Sequence, residues 1–251
     1  MFWIIPIVAF LASILTFFSG FGLGTLLMAT MIWFYPPELA IALTALVHLL
    51  HSGFKSLLNR HVQWRIVWIF GIPSMLAAYA GAKILSIISA YPVELFDLTE
   101  STLTHPVKFL SFLIGLMLII FSIAEVGLKG KSLIAPLWIG GLISGFMGGL
   151  SGHQGALRSL FLIRQIPDVR NLISTLAFIG LLTDVTRNSV YLTLLPWDKV
   201  NLFQLFVTGV AATLGVLVGT QLLKKVSIQL LQRLISYGIF ILGCAMLLGL
   251  I

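Results

Sequence analysis

The chain has 251 residues, of which 59% are hydrophobic and 9% charged. Soluble domains carry about 25% charged residues, and the 15 basic and 8 acidic side chains here could not cover a 27.5 kDa globule. A mean hydropathy of +1.09 makes the lipid bilayer the solvent, which excludes a cytosolic enzyme, a disulfide-stapled secreted scaffold and a nucleic-acid binder. The net charge of +7 is then a topology signal, because positive charge on membrane proteins collects in cytoplasmic loops. The lone Cys244 cannot form an internal disulfide.

In chain order, Met1–Phe18 has no Lys or Arg and leads straight into further apolar sequence, so it lacks the basic start of a signal peptide and is expected to stay in the mature fold. The apolar region Phe2–Phe34 is interrupted by Ser19-Gly20-Phe21-Gly22-Leu23-Gly24. Membrane-crossing helices of about 20 residues are expected over 38–57, 65–89 and 106–127. Next, Leu133–Ile163 is interrupted by a glycine-rich stretch from Ser144 to Gly155. Three more crossing helices follow over 171–194, 201–223 and 227–250. Glycine costs about 1 kcal/mol in a helix interior, so the two clusters mark breaks that divide their regions into half-helices. Isolated glycines at 71, 81, 115, 209, 215 and 219 read as close-packing positions between helices. Trp64, Trp68, Trp138, Trp197, Tyr35 and Tyr91 near span ends read as interfacial anchors.

Both breaks begin Ser-Gly-Phe, at 19–21 and 144–146, and each is followed by a proline-marked turn, Pro36-Pro37 or Pro167. Gly71 and Gly81 share the spacing of Gly209 and Gly219. Residues 1–251 therefore read as a single membrane domain of two repeats, 1–127 and 133–251, each a broken segment followed by three helices. If both broken segments crossed the membrane, Lys and Arg would divide 8 to 7, with no bias. If each is a re-entrant hairpin, Lys55, Arg60, Arg65, Lys129, Lys131, Arg164, Arg170, Lys224, Lys225 and Arg233 share one face. Lys83, Lys108, Arg187 and Lys199 lie toward the other, with Arg158 inside the second hairpin. The second arrangement follows the positive-inside rule. It places Glu94, Asp97 and Glu100 outside, inverts the repeats, and puts both termini outside a multi-pass protein of the cytoplasmic membrane.

The expected fold class is thus an all-α polytopic membrane protein with two inverted repeats, each a Gly-broken re-entrant hairpin plus three transmembrane helices. Matching interrupted segments in two halves point to a transporter binding site. Irregular backbone at membrane depth is tolerated only where it lines a cavity or is buried in protein, so the two tips should face each other. The first tip offers Gly20, Gly22, Gly24 and Thr25; the second offers Ser151, Gly152, His153, Gln154 and Arg158. Half-helix N-termini suit anions. A guanidinium at membrane depth costs ~2.5–3.5 kcal/mol on insertion scales, and its planar fork matches an oxyanion. The blander account is that Arg158 snorkels to the interface or pairs with a backbone carbonyl.

Two further clusters stand out. Asp184 and Arg187, with Thr183 and Asn188, lie on one helical face at i, i+3, either as an internal salt bridge or as a gate or proton-linked pair. His48 and His51 are also at i, i+3, but no third ligand accompanies them, so no metal and no cofactor is expected. His48 is a candidate for a pathway or proton role; His51, approaching the basic end at Lys55, reads as a solvated histidine. Ser151 and His153 suggest a nucleophile and base, but no orienting carboxylate lies in their segment, although Asp184 could approach in space. An enzyme is therefore not the expected class. A fixed anion pore built from the same hairpins is the alternative to a transporter.

These features resemble the sulfite exporter TauE/SafE family across essentially the whole chain. The segment Gly148-Gly149-Leu150-Ser151-Gly152-His153-Gln154-Gly155-Ala156-Leu157-Arg158-Ser159 is similar to a second-half signature in one of its branches. The family pattern has a denser glycine triplet in each half, whereas this chain has spaced glycines in the first and Ser-Gly-His-Gln-Gly in the second. The resemblance implies a bacterial-type permease for small sulfur-containing anions such as sulfite, sulfoacetate and related sulfonates. Its partners would be the anionic substrate and the bilayer; a coupled proton and a homodimer stay open.

Overall fold

The computed structural model describes residues 2–19, 22–58, 61–91, 93–96, 106–127, 135–221 and 228–250. Within them the helices are α1 (Ile4–Ser19), α2 (Leu23–Ile32), α3 (Pro37–Leu58), α4 (Trp64–Ala90), α5 (Phe109–Gly127), α6 (Leu137–Ser151), α7 (Gly155–Leu162), α8 (Val169–Tyr191), α9 (Leu202–Gln221) and α10 (Ile228–Leu247). Helices dominate because a chain in hydrocarbon must satisfy its backbone polar groups internally. The expected all-α class therefore holds, with one local exception. Glu94–Phe96 (β1) pairs antiparallel with Val107–Lys108 (β2), so the helix expected from residue 106 begins at Phe109. Asp97 and Glu100 of the acidic loop lie outside the described residues, as do Lys129, Lys131, Lys224 and Lys225.

Local signals set the helix ends. Pro37 opens α3, where a missing N–H costs nothing, with Glu38 in its first turn and Lys55 in its last, matching the helix dipole. Asp168 caps α8 by accepting from the Asn171 backbone N–H at 2.9 Å. Among the described residues α3, α4, α8 and α9 are long and apolar enough to cross a membrane. α5 and α10 run 19 and 20 residues. Their outward faces, like those of α4 and α9, carry exposed Ile123, Ile241, Leu76 and Phe203.

The second glycine cluster departs from expectation. Gly145, Gly148 and Gly149 do not break the helix; α6 continues to Ser151 and ends at Gly152, whose φ of +81 is left-handed. Those glycines are packing positions. Cβ atoms at Gly141, Gly145 and Gly149 would collide with the backbone carbonyls of Phe70, Ser74 and Ala78 on α4. Their spacing of four brings two parallel helix backbones into contact, and that contact offsets the propensity cost. The chain then doubles back: Gln154 sits against Gly148, and Phe161 near the end of α7 sits against Gly140 near the start of α6.

On the other side of the molecule, α1 lies along α9 in the same parallel sense. Gln204 Nε2 donates to the Phe2 carbonyl at the start of both helices, Ser13 Oγ donates to the Ala212 carbonyl farther along, and Gly215 abuts the Phe10 carbonyl and the Ser13 side chain. α3 and α8 cross antiparallel, with Asn188 Nδ2 donating to the Ala45 carbonyl at 3.1 Å and Gly53 near Leu181. α5 and α10 are also antiparallel, Gly115 and Gly243 each resting on the other's carbonyl and Ser122 Oγ donating to Ser236 at 2.6 Å. Of the glycines read as packing positions, Gly81, Gly115 and Gly215 meet backbone of a neighbouring helix, while Gly71 and Gly209 meet leucine side chains.

The backbone contact between α4 and α6 makes a definite expectation. Gly145→Ala should lower detergent-solubilised stability by about 1–3 kcal/mol through overpacking. Gly238→Ala, on an open helix surface with nothing within 4 Å, should leave the melting temperature unchanged or raise it. Equal melting of the two variants would contradict the packing described.

Candidate functional site

Three elements converge on the carboxylate of Asp184, which is fully buried on α8. From α3, His48 Nδ1 lies 2.7 Å from Oδ2 and Ser52 Oγ donates to the same oxygen at 2.8 Å. From the α6–α7 turn, Gln154 Nε2 donates to Oδ1 at 2.7 Å. From α8 itself, Arg187 approaches Oδ1 with Nε at 3.0 Å and Nη2 at 2.8 Å. A buried carboxylate is tolerated only when paired and hydrogen-bonded, and this one has the Arg187 guanidinium and three further polar side chains around it. The i, i+3 spacing of Asp184 and Arg187 places both on the face of α8 that meets α3 and the turn.

Arg187 also carries the hairpin. Its Nη1 donates to the Gly148 carbonyl at 3.2 Å, and Tyr191 OH donates to the Gly149 carbonyl. Both carbonyls belong to the last turn of α6, and that of Gly148 also accepts the backbone N–H of the cap residue Gly152 at 3.0 Å. Gly152 then turns the chain, and an added Cβ there would lie 3.5 Å from Arg187 Nη1. Across the turn, a Cβ at Gly24 would lie 3.3 Å from the Gly152 carbonyl and 3.6 Å from His48 Cδ2. The start of α2 thus meets the α6–α7 turn beside His48.

The residues singled out from sequence divide accordingly. Gly24, His48, Gly152, Gln154, Asp184 and Arg187 come together. Gly22 precedes α2 with φ +126, a left-handed conformation that favours glycine, and faces Thr16 rather than the cluster. Thr25 is half-buried one residue beyond Gly24. Gly20 lies outside the described residues. Ser151 Oγ donates to its own helix at Met147 and lies 3.1 Å from His153 Nδ1. The His153 ring stacks on Phe121 of α5 at 5.0 Å.

Arg158, on α7, is 3% exposed. Its Nη1 donates to the Leu176 carbonyl of α8 at 3.0 Å. Nε and Nη2, the two nitrogens of one guanidinium edge, have no protein partner among the described residues. The backbone-carbonyl account of Arg158 therefore covers one nitrogen and leaves the edge that binds oxyanions side-on unused.

Several expectations need correction. His51 is not solvated: it is 2% exposed, because α3 turns that face onto α8 and the hairpin. Arg187, counted as a charge toward one membrane face, is buried in the Asp184 cluster. Tyr35, half-buried between α2 and α3, donates from its OH to Gln204 Oε1 of α9 at 3.1 Å, which is compatible with its reading as an interfacial anchor. Ser52 and Tyr191 were not singled out at all, and Lys55, counted only as a loop charge, is buried. The signal for Ser52 and Lys55 was their spacing from His48 and His51, at i, i+3, i+4 and i+7, which marks one helical stripe. Nothing in the local sequence of Tyr191 distinguishes it from an interfacial tyrosine.

Removing one member of the Asp184–Arg187 pair should cost more than removing both. Asp184→Asn strands a buried guanidinium and should destabilise the protein by ~3–5 kcal/mol. Asp184→Asn combined with Arg187→Met should recover part of that loss in thermal melting. A double variant that melts below either single variant would contradict the pairing.

The model of the family described as sulfite exporter TauE/SafE matches residues 5–246 of the chain. No curated protein matches it, and no solved structure does.

Proposed function

From the premise that the chain belongs to the sulfite exporter TauE/SafE family, whose members are membrane transporters and not enzymes, we propose that it carries small sulfur-containing oxyanions or sulfonates by alternating access. The observation that carries this reading is the buried Arg158 edge, Nε and Nη2, without a protein partner. A guanidinium edge is a bidentate match for two oxygens of an anion. With Arg187 already paired to Asp184, Arg158 is the cation of the site whose charge awaits a ligand. The substrate lies at the two hairpin tips, held by Gly24 and Thr25 on one side and Ser151, Gly152, His153, Gln154 and Arg158 on the other. His48, Asp184 and Arg187 act as the gate or proton-linked group beside them.

The transport cycle uses two inverted repeats, 1–127 and 133–251, with six crossing helices, two re-entrant hairpins and both termini outside. Three packing relations support that reading. α3 and α8 cross antiparallel, and so do α5 and α10. Each hairpin arm lies along the middle helix of the other half, α1 on α9 and α6 on α4. This exchange of partners is what two halves related by a two-fold axis in the membrane plane would produce.

The test is thermal stability of the detergent-purified protein against sulfite, sulfoacetate, thiosulfate, sulfate, acetate and chloride. A ligand at 100 times its Kd adds about 2.7 kcal/mol to native stability. The expected result is a shift selective for the sulfur oxyanions that Arg158→Gln abolishes without lowering ligand-free stability below a folded state. No shift with any sulfur anion would contradict the proposed substrate class, and an undiminished shift in Arg158→Gln would contradict the site.

A further inference from the structure

The two halves are closed differently at their ends. Around the start of α9, a narrow cleft is lined by Ile5 of α1, Met31 of α2, Leu43 of α3, Gln204 and Thr208 of α9, and Tyr35 in the elbow between α2 and α3. One hydrogen bond joins its walls, from Tyr35 OH to Gln204 Oε1 at 3.1 Å. The amide nitrogen of the same side chain, Gln204 Nε2, donates to the Phe2 carbonyl at 3.1 Å. Gln204 thereby ties both the elbow and the start of α1 to α9. The shared spacing of Gly71 and Gly81 with Gly209 and Gly219 aligns Gln204 with Ile66 of the other half. The residue just before the proline-marked turn is Tyr35 in the first half and Ile166 in the second. Ile66 and Ile166 both belong to a buried apolar cluster with Phe70, Phe161 and Leu176. One half is thus sealed by dry packing, and the other by a hydrogen bond over a cleft.

The cleft points toward the site. On its inner side Met31 Sδ lies 3.5 Å from Thr44 Oγ1. Thr44 is one turn before His48 on α3, and His48 faces Gly24 at the start of α2. α2 and α3 therefore form two walls that run from the Tyr35 elbow to the first hairpin tip, with Met31 and Thr44 meeting between them. The two seals also differ in what it takes to break them. Water replaces a hydrogen bond between half-buried side chains at little net cost, whereas opening an apolar cluster exposes its whole surface to water.

We propose that the Tyr35–Gln204 pair is a gate of the transport path, holding the cleft shut at the end of the bundle where α1 begins. When the bond breaks, the elbow moves off α9, the cleft fills with water, and parting of Met31 from Thr44 opens the way to the hairpin tips. The proposal rests on the reading of the chain as an alternating-access transporter of two inverted halves. It adds which end opens from the present arrangement and which side chains hold that end closed. The Ile66–Ile166 end, sealed by apolar packing, stays shut while this one opens.

The experiment reads access to the cleft with a charged thiol reagent on the purified full-length protein, after Cys244→Ser removes the native cysteine. The reporter is Leu43→Cys, at a position 2% exposed; if that variant folds poorly, Thr208→Cys on the opposite wall replaces it. Tyr35→Phe removes only the hydroxyl, and Gln204→Leu removes the amide at nearly constant size. Each should speed labelling of the reporter by about three- to tenfold, the population shift expected from one lost hydrogen bond. A control cysteine, Leu118→Cys in the packing between α5 and α10, should stay unlabelled in every background, which separates gate opening from general loosening. Sulfite counterflow in proteoliposomes is measured on the same proteins. Equal reporter labelling with and without the Tyr35 hydroxyl, or equal acceleration at Leu118→Cys, in protein that still exchanges sulfite would overturn the gate and leave the transporter reading intact. A protein with native Tyr35 and Gln204 that exchanges no sulfite would overturn that reading, and the gate with it.

Discussion

A carboxylate in the apolar interior of a membrane protein is the constraint around which the rest is arranged. Its burial is tolerated because side chains from α3, the α6–α7 turn and α8 all reach the two oxygens of Asp184. Each of them also ties its own element in place. Gln154 holds the hairpin turn to α8, His48 and Ser52 hold α3, and Arg187 passes from the carboxylate to the Gly148 carbonyl at the end of α6. The hairpin tip is therefore fixed by polar contacts at its end and by glycine packing along its arm. Because Asp184 neutralises Arg187, the arrangement leaves Arg158 as a second guanidinium with an unused edge. Function and stability meet at this point: the same pairing that makes the burial tolerable leaves a cation available to a ligand.

Much of the architecture was legible in the sequence because hydropathy is a long-range average. The spans of α3, α4, α8 and α9 lie within a few residues of the expected ones, and glycines 81, 115 and 215 are the close-packing positions they were read as. The glycine run at 144–155 does hold the expected break, at 152–154, but its first half was misread for a physical reason. Helix propensity describes a helix in isolation, whereas Gly145 and Gly149 sit where the α4 backbone takes the place of a side chain. Sequence shows the cluster but not the neighbour that makes it favourable. The short pairing of Glu94–Phe96 with Val107–Lys108 was missed because its strands are too brief to show alternation.

The site was legible in part. Arg158, Asp184 and Arg187 stand out because charge at membrane depth is rare, and His48 because of its stripe. Their mutual contacts were not legible, since His48 and Asp184 are 136 residues apart in the chain. His51 was misassigned from its nearness to a helix end, a one-dimensional argument. Which face of α3 is turned inward is decided by α8, and it is the face carrying His48, His51, Ser52 and Lys55.

The central claim is that an anion bound between the two halves is carried by alternating exposure. Counterflow in proteoliposomes addresses it directly: vesicles loaded with unlabelled sulfite are diluted into labelled sulfite, and uptake is compared with that of empty vesicles. Alternating access predicts saturable uptake that internal sulfite accelerates. Flux that rises linearly with concentration and ignores internal sulfite would contradict the account and assign the same hairpins to a pore.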